Sequence, residues 1–402
     1  MPTEEDVIEL EENQRLICLG DVHGDLQALK NALEVAGVYE DPGTSTKEKK
    51  KDEDEFSYLT MGLTSYDDNH NYYNGVAEEK DTWVGKNTIL VQCGDILDRG
   101  SEELSCLQLL TELSQQAVKY GGKVILLYGN HESLNALGLF QYAIDDREFE
   151  RKMAPIIDDE LETPMWRMQY VGNQPARWVT FEPGGLLAKS VMANMKVAVK
   201  VGRTVCVHAG LTAKHLQDYG GIEGMNRDAR AWYLSSPKDD LNVTYNNLGT
   251  YSNYREPVID AEKRQTSYIN SVPSFMGVGI GSDAPVWMRD YSSPNDMPPR
   301  NPKAQSMIDE ALEKLDCDRM VVGHTVQRQI NAALEGKAWR IDVGLSKGVV
   351  NGTPEVLEVK LENGEEVVSI LTRKGKVPSK DRQTMTDDIM DLSSFSFSKK
   401  SW

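Results

Sequence analysis

Leu16-Ile17-Cys18-Leu19-Gly20-Asp21-Val22-His23-Gly24 sets an apolar run, the pattern of a buried strand, directly against a turn that carries a carboxylate and an imidazole. The same construction recurs four times. Ile89-Leu90-Val91 leads to Gly94-Asp95-Ile96-Leu97-Asp98-Arg99-Gly100, and Val124-Ile125-Leu126-Leu127 to Gly129-Asn130-His131-Glu132. Val205-Cys206-Val207 leads to His208-Ala209-Gly210, and Met320-Val321-Val322 to Gly323-His324-Thr325. Each strand delivers Asp, Asn or His at its C-terminal end beside a glycine, so the five are expected to meet at one constructed sheet edge. Four of the six histidines in the chain (His23, His131, His208, His324) sit in these turns. One such turn alone is ordinary turn chemistry. Five in order, each behind a β-type run, read as a dinuclear metal site.

The chemistry such a site serves follows from phosphoester electrostatics. A phosphoester dianion repels hydroxide, and an alkoxide is a poor leaving group. Two cations about 3.5–4 Å apart hold a bridging hydroxide, acidify it and neutralise the phosphoryl oxygens during in-line attack. The donors required are one bridging carboxylate with mixed oxygen and nitrogen ligands, a set suited to Mn, Fe or Zn.

The five segments together resemble the metallophosphoesterases related to calcineurin. The run Gly-Asp-x-x-Asp-Arg-Gly at 94–100 is similar to that of the phosphoprotein phosphatases within them. With Pro285-Val286-Trp287-Met288-Arg289 and Trp339-Arg340-Ile341-Asp342-Val343-Gly344-Leu345-Ser346, the chain resembles the Shewanella-like protein phosphatase branch, over residues 15–39 and 83–372. The resemblance implies an α/β protein of the calcineurin-like metallophosphoesterase fold, two mixed β-sheets packed face to face and flanked by helices. It implies two divalent or trivalent metal ions, with Asp21 and His23 on the first, Asp95 bridging, and Asn130, His208 and His324 on the second. It makes His131 the general acid, and Asp98 the partner that fixes its tautomer and raises its pKa. Arg99 and Arg289 are expected to grip phosphate oxygens with their guanidinium forks. The chain departs from the animal-type enzymes at Asp25, where those usually carry Gln, and at Gly323-His324, where they carry Arg-Ala-His.

Around these motifs the pattern alternates strand and helix, which implies an α/β fold. Helices are expected at 25–36, 102–119, 145–153, 222–234 and 302–315, and strands at 338–343 and 355–372, the latter two closing a second sheet. Residues 41–82, with Lys47 to Lys51 basic and Asp52 to Glu55 acidic, read as an insertion on the surface. The division expected is an acidic tail at 1–14, a catalytic domain at 15–373 with substrate walls at 140–201 and 222–301, and a flexible tail at 374–402. A chain of 402 residues with 40% apolar content can bury such a core.

A net charge of −19 argues against a nucleic acid or an anionic membrane as the main partner, because both need clustered Lys and Arg. No apolar run approaches the roughly 18–20 residues of a membrane span. Five scattered cysteines, three of them in apolar strands, and no signal or transit pattern lead us to expect a reducing, cytoplasmic location. The function expected is a two-metal phosphomonoester hydrolase acting on phosphoserine, phosphothreonine or phosphotyrosine proteins. Two alternatives stand beside it: a dinucleoside polyphosphate hydrolase, and a non-catalytic scaffold on a phosphatase fold.

Overall fold

The computed structural model describes residues 6–41, 82–144, 149–154, 174–235, 261–277, 279 and 282–383. The insertion expected at 41–82 lies outside the described residues except at its two ends, and so does 145–148 of the helix expected at 145–153.

Two six-stranded sheets carry the chain. One has the order β12-β11-β10-β2-β3-β4, from β2 (Arg15–Leu19), β3 (Ile89–Gln92), β4 (Lys123–Leu126), β10 (Glu355–Glu362), β11 (Glu365–Thr372) and β12 (Gly375–Pro378). The other has the order β1-β5-β6-β7-β9-β8, from β1 (Val7–Ile8), β5 (Ala198–Val201), β6 (Thr204–Val207), β7 (Arg319–Val322), β8 (Asn331–Ala333) and β9 (Ala338–Arg340). Both are mixed. β2, β3 and β4 run parallel, while β10 joins β2 antiparallel; β6, β7 and β9 run parallel, while β5 is antiparallel to β6 and β8 to β9. The central strands are buried throughout, which is why they read as continuous apolar runs rather than alternating ones. Cys18 of β2 and Cys206 of β6 meet across the interface, with sulfurs 3.6 Å apart as free thiols.

The five motif strands therefore do not share one sheet edge. Three belong to one sheet and two to the other, so the site forms where two sets of strand ends converge. The expected second-sheet strands also divide: Ala338–Arg340 pairs with β7, whereas 355–372 folds into a hairpin on β2. That hairpin turns at Asn363-Gly364, both with positive φ, the conformation a two-residue type I′ turn requires.

The structure carries the fold past both expected boundaries. Val7 and Ile8 pair in parallel with Lys200 and Val201, and Gly375–Pro378 pairs antiparallel with β11. Each extra strand covers an edge whose N–H and C=O groups otherwise lack partners.

Helices pack outside. The helix α1 (Leu26–Ala36) starts at Asp25, whose Oδ1 accepts the Ala28 N–H at 3.0 Å, and buries Ala28, Leu29, Ala32, Leu33 and Ala36. α2 (Glu103–Val118) buries Leu104, Leu107, Leu110 and Leu113, while Val118 at its last residue is exposed. Further helices among the described residues are α3 (Asn130–Ala136), α4 (Pro175–Phe181), α5 (Leu186–Ser190), α6 (Ala213–Asp218), α7 (Gly221–Leu234), α8 (Ala261–Ser271) and α9 (Ala304–Leu315). Trp83 and Trp339 are core residues, and His215 faces back to the Thr212 N–H that opens α6.

Ile17 is fully buried between the layers, whereas Val367 on β11 is 41% exposed. Ile17→Ala is expected to cost about 2–5 kcal/mol through lost burial and a residual cavity. Val367→Ala should stay within about 0.5 kcal/mol. Urea denaturation of the two variants side by side checks the difference.

Candidate metal centre

The turn after β2 brings Asp21 and His23, that after β3 brings Asp95, Asp98 and Arg99, and that after β4 brings Asn130 and His131 at the start of α3. The other sheet contributes His208 after β6 and His324 after β7. Asp21, His23, Asp95, Arg99, Asn130, His131, Arg289 and His324 line one cleft of about 690 Å³. His23, Asp95, Asp98, Arg99 and His324 all have positive φ, a backbone region that non-glycine residues occupy at a cost. The glycines beside them are needed for close approach. A Cβ on Gly129 would collide with the Asp95 carboxylate, and one on Gly323 with that of Asp21.

One carboxylate holds this backbone. Glu132, 1% exposed, accepts the N–H groups of Asp95 (2.9 Å) and Gly129 (2.7 Å) on one oxygen and those of Ile96 (2.9 Å) and Leu97 (3.1 Å) on the other. The same reach back to the Gly129 N–H caps the start of α3, the half of a capping box that needs no side chain on Gly129.

The donor atoms form two sets with Asp95 in common: His23, Asp95 and His131, and Asp95, His208 and His324, each set lying within 4.8 Å. His208 donates its Nδ1–H to the Cys93 carbonyl at 2.7 Å, and His324 donates its Nε2–H to the Trp287 carbonyl at 3.1 Å. Those bonds turn His208 Nε2 and His324 Nδ1 towards each other at 3.2 Å. Asn130 Oδ1 lies 3.2 Å and Asp95 Oδ2 3.3 Å from the same His208 nitrogen. Four nitrogen and oxygen donors thus converge on one point, a set that fits a cation; burial disfavours the His208 cation, but Asp95 and the Cys93 carbonyl outweigh it and raise its pKa. His23 likewise gives Nδ1 to the Leu97 carbonyl at 3.0 Å and turns Nε2 towards Asp95. These residues fit a two-cation centre.

Asp21 stands outside both sets of three. Its Oδ1 accepts the His324 N–H at 3.2 Å, and its carboxyl lies against those of Asp342 and Asp95. Burial first, and then Asp342 and Asp95, push the Asp21 carboxyl well above its ordinary value. Burial likewise raises Asp342 to about 6. Burial works against the Asp95 anion, but the imidazoles of His208, His131 and His23 outweigh it and hold its pKa low. Burial lowers His23 to about 4, and burial with His208 and Arg289 takes His324 well down, so both stand ready as neutral ligands.

His131 is paired differently. Its Nδ1 donates to Asp98 Oδ2 at 2.6 Å, and burial, which disfavours its cation, is outweighed by Asp95 and Asp98, so its pKa is raised. Its Nε2 faces the cleft 3.5 Å from Arg99 Nη2. Arg99 lies over the Tyr142 ring, and its buried Nε has no hydrogen-bond partner among the described residues. Arg289, exposed at the cleft wall, is anchored through Nη1 on Thr325 Oγ1 at 2.6 Å.

Sequence reasoning quoted Glu132 and Asp342 but gave them no part in the site, and it passed over Arg177. Spacing of Glu132 three residues after Gly129 is a legible capping signal; a lone Arg in Pro175-Ala176-Arg177 carries none.

Residues 14–328 match the calcineurin-like phosphoesterase family. The chain belongs to that family. It is a hydrolase of phosphoric monoesters, and the family uses a dinuclear metal centre. It is similar to Shewanella-like protein phosphatase 2 of Arabidopsis thaliana, 28% identical over 89% of this chain and 78% of that one. It is also similar to Shewanella-like protein phosphatase 1 of Plasmodium berghei, 24% identical over 93% and 79%. The fold matches the cold-active protein-tyrosine phosphatase of a psychrophilic Shewanella species, with TM-score 0.55 and 19% identity over 93% of this chain and 82% of that one. Among the described residues no helix is long and apolar enough to cross a membrane.

Glu132→Gln leaves one carbonyl oxygen for four N–H groups. Loss of two hydrogen bonds to a charged acceptor, at about 1.5–3 kcal/mol each, is expected to cost about 3 kcal/mol or more. Denaturant unfolding measures that loss, and metal content should fall with it.

Proposed function

We propose that this chain is a protein phosphatase that hydrolyses phosphoserine, phosphothreonine or phosphotyrosine residues. The observation that carries the reading is the Asp98–His131 pair, set beside a donor set with a shared carboxylate in one cleft. The protein phosphatase names of the two sequence relatives support a phosphoprotein substrate.

Asp21, His23 and Asp95 would hold one cation, and Asp95, Asn130, His208 and His324 the other, with Mn, Fe or Zn suited to such mixed donors. Bound there, the cations supply charge neutralisation and an acidified water for in-line attack on phosphorus. Arg99 and Arg289 grip phosphate oxygens from opposite ends of the ligand cluster, and the unpartnered Arg99 Nε fits that use. His131, its Nδ1–H held by Asp98, presents Nε2 to the cleft and protonates the departing oxygen.

Asp95→Asn removes the shared anion. It is expected to abolish most turnover and lower metal stoichiometry; full activity with two metals bound would overturn the ligand assignment. The acid role makes a second test. Protonation is worth about 10²–10⁴-fold and matters most for a basic leaving group. His131→Asn should therefore cost most on phosphoserine peptides, less on phosphotyrosine and least on nitrophenyl phosphate, with metals retained. An equal loss on all three would leave His131 only a phosphate-positioning role. The pH profile carries the third. Because the His131 pKa is raised, its acid form persists above the ordinary imidazole range, and kcat should fall as pH rises through that raised value. Asp98→Asn removes one of the two carboxylates that raise it and should move this limb to lower pH.

A further inference from the structure

Behind the Asp98–His131 pair, away from the cleft, α4 brings in a buried guanidinium. Arg177 is 1% exposed. Its Nε donates to Asn135 Oδ1 at 2.6 Å, its Nη1 to Glu103 Oε2 at 2.7 Å, and its Nη2 to Glu103 Oε1 at 2.5 Å and Asp98 Oδ1 at 3.0 Å. Phe140, Phe149 and Phe181 surround it with rings centred 5.0–5.8 Å from Cζ. The backbone is fixed too, since Glu150 accepts the N–H groups of both Ala176 and Arg177.

The consequence falls on Asp98. One of its oxygens, Oδ1, takes Arg177 and Asn135 Nδ2, each at 3.0 Å, which leaves Oδ2 for His131 Nδ1 at 2.6 Å. Its own N–H donates to Glu103, the second carboxylate that Arg177 holds. Asn135 Nδ2 also reaches the His131 carbonyl at 2.9 Å, tying the imidazole's backbone into the same net. A buried ion pair contributes little net stability, because desolvation offsets the attraction. What this one supplies is orientation. Three acceptors on three elements are matched by one planar fork, and a lysine ammonium cannot match them together.

We propose that Arg177 is a positioning residue for leaving-group protonation, fixing the plane of the Asp98 carboxylate so that His131 presents Nε2 to the substrate. This inference rests on the reading of His131 as the acid. Arg177 touches neither substrate nor ligand, so a purely structural arginine would affect every substrate alike, and a positioning one would not.

The test compares R177M, R177K and H131N on a phosphoserine peptide, a phosphotyrosine peptide and nitrophenyl phosphate, with metal stoichiometry and thermal denaturation recorded for each. R177M is expected to lower kcat on phosphoserine by about 10–10²-fold, part of the full acid effect. The loss should shrink through phosphotyrosine to under about threefold on nitrophenyl phosphate, with KM and bound metal little changed. R177K, which keeps charge and most of the bulk, should recover part of the phosphoserine rate. It carries the same test if R177M does not fold. Equal losses across the three substrates in the Arg177 variants, while H131N keeps its leaving-group ranking, would show Arg177 to be structural only. A flat profile for H131N itself would remove the acid reading, and this inference with it.

Discussion

The catalytic cleft depends on a single buried anion. Glu132 gathers four backbone N–H groups from two turns, one after β3 and one after β4. Hydrogen bonds to a charged acceptor contribute about 1.5–3 kcal/mol each. A non-glycine residue held in left-handed backbone costs about 1–3 kcal/mol, and this turn holds Asp95 and Asp98 there. The clamp outweighs the strain, so both carboxylates are aimed by the protein itself rather than by whatever binds between them. His131 joins the same unit through its N–H on Asp95 Oδ1 at 3.0 Å.

Second partners then divide four similar imidazoles into two kinds. His23, His208 and His324 each give one nitrogen to a backbone carbonyl, a neutral acceptor that sets the tautomer. His131 gives its nitrogen to a carboxylate that Arg177 and Asn135 hold from behind. Identical side chains a few ångströms apart thereby differ in their outer partners: three turn one nitrogen to a carbonyl, and one turns it to a carboxylate.

What the sequence made legible was local. A β-type run followed by a glycine and a ligand-type side chain is complete within about ten residues, and all five such segments fold as strand and turn. Partnering was not legible, because a strand buried on both faces has no alternation to say which sheet it joins. Hence two sheets, not one, supply the site. Val7–Ile8 is too short to show any period, and Gly375–Pro378 carries Gly and Pro, which hide its pairing with β11. The site residues were legible for the same local reason, and their supports were not. Arg177 reaches Asp98 across 79 residues of chain, and Asp342 reaches Asp21 from near the other end of the sequence.

The two halves of the centre are prepared by different physics. The half around Asn130, His208 and His324 sets its imidazoles on backbone carbonyls, while Asp95 and the Cys93 carbonyl raise His208 against burial. Around Asp21 the groups are carboxyls. Asp21 and Asp342 are buried carboxyls in hydrogen-bonding contact, and burial raises both, Asp342 to about 6. Two such groups share a proton when nothing else neutralises them. A cation held by Asp21 and His23 must expel that proton, which couples its binding to pH. The shared Asp95 belongs to both halves, and the three imidazoles facing it keep it ionised, so it offers each cation the same ready anion.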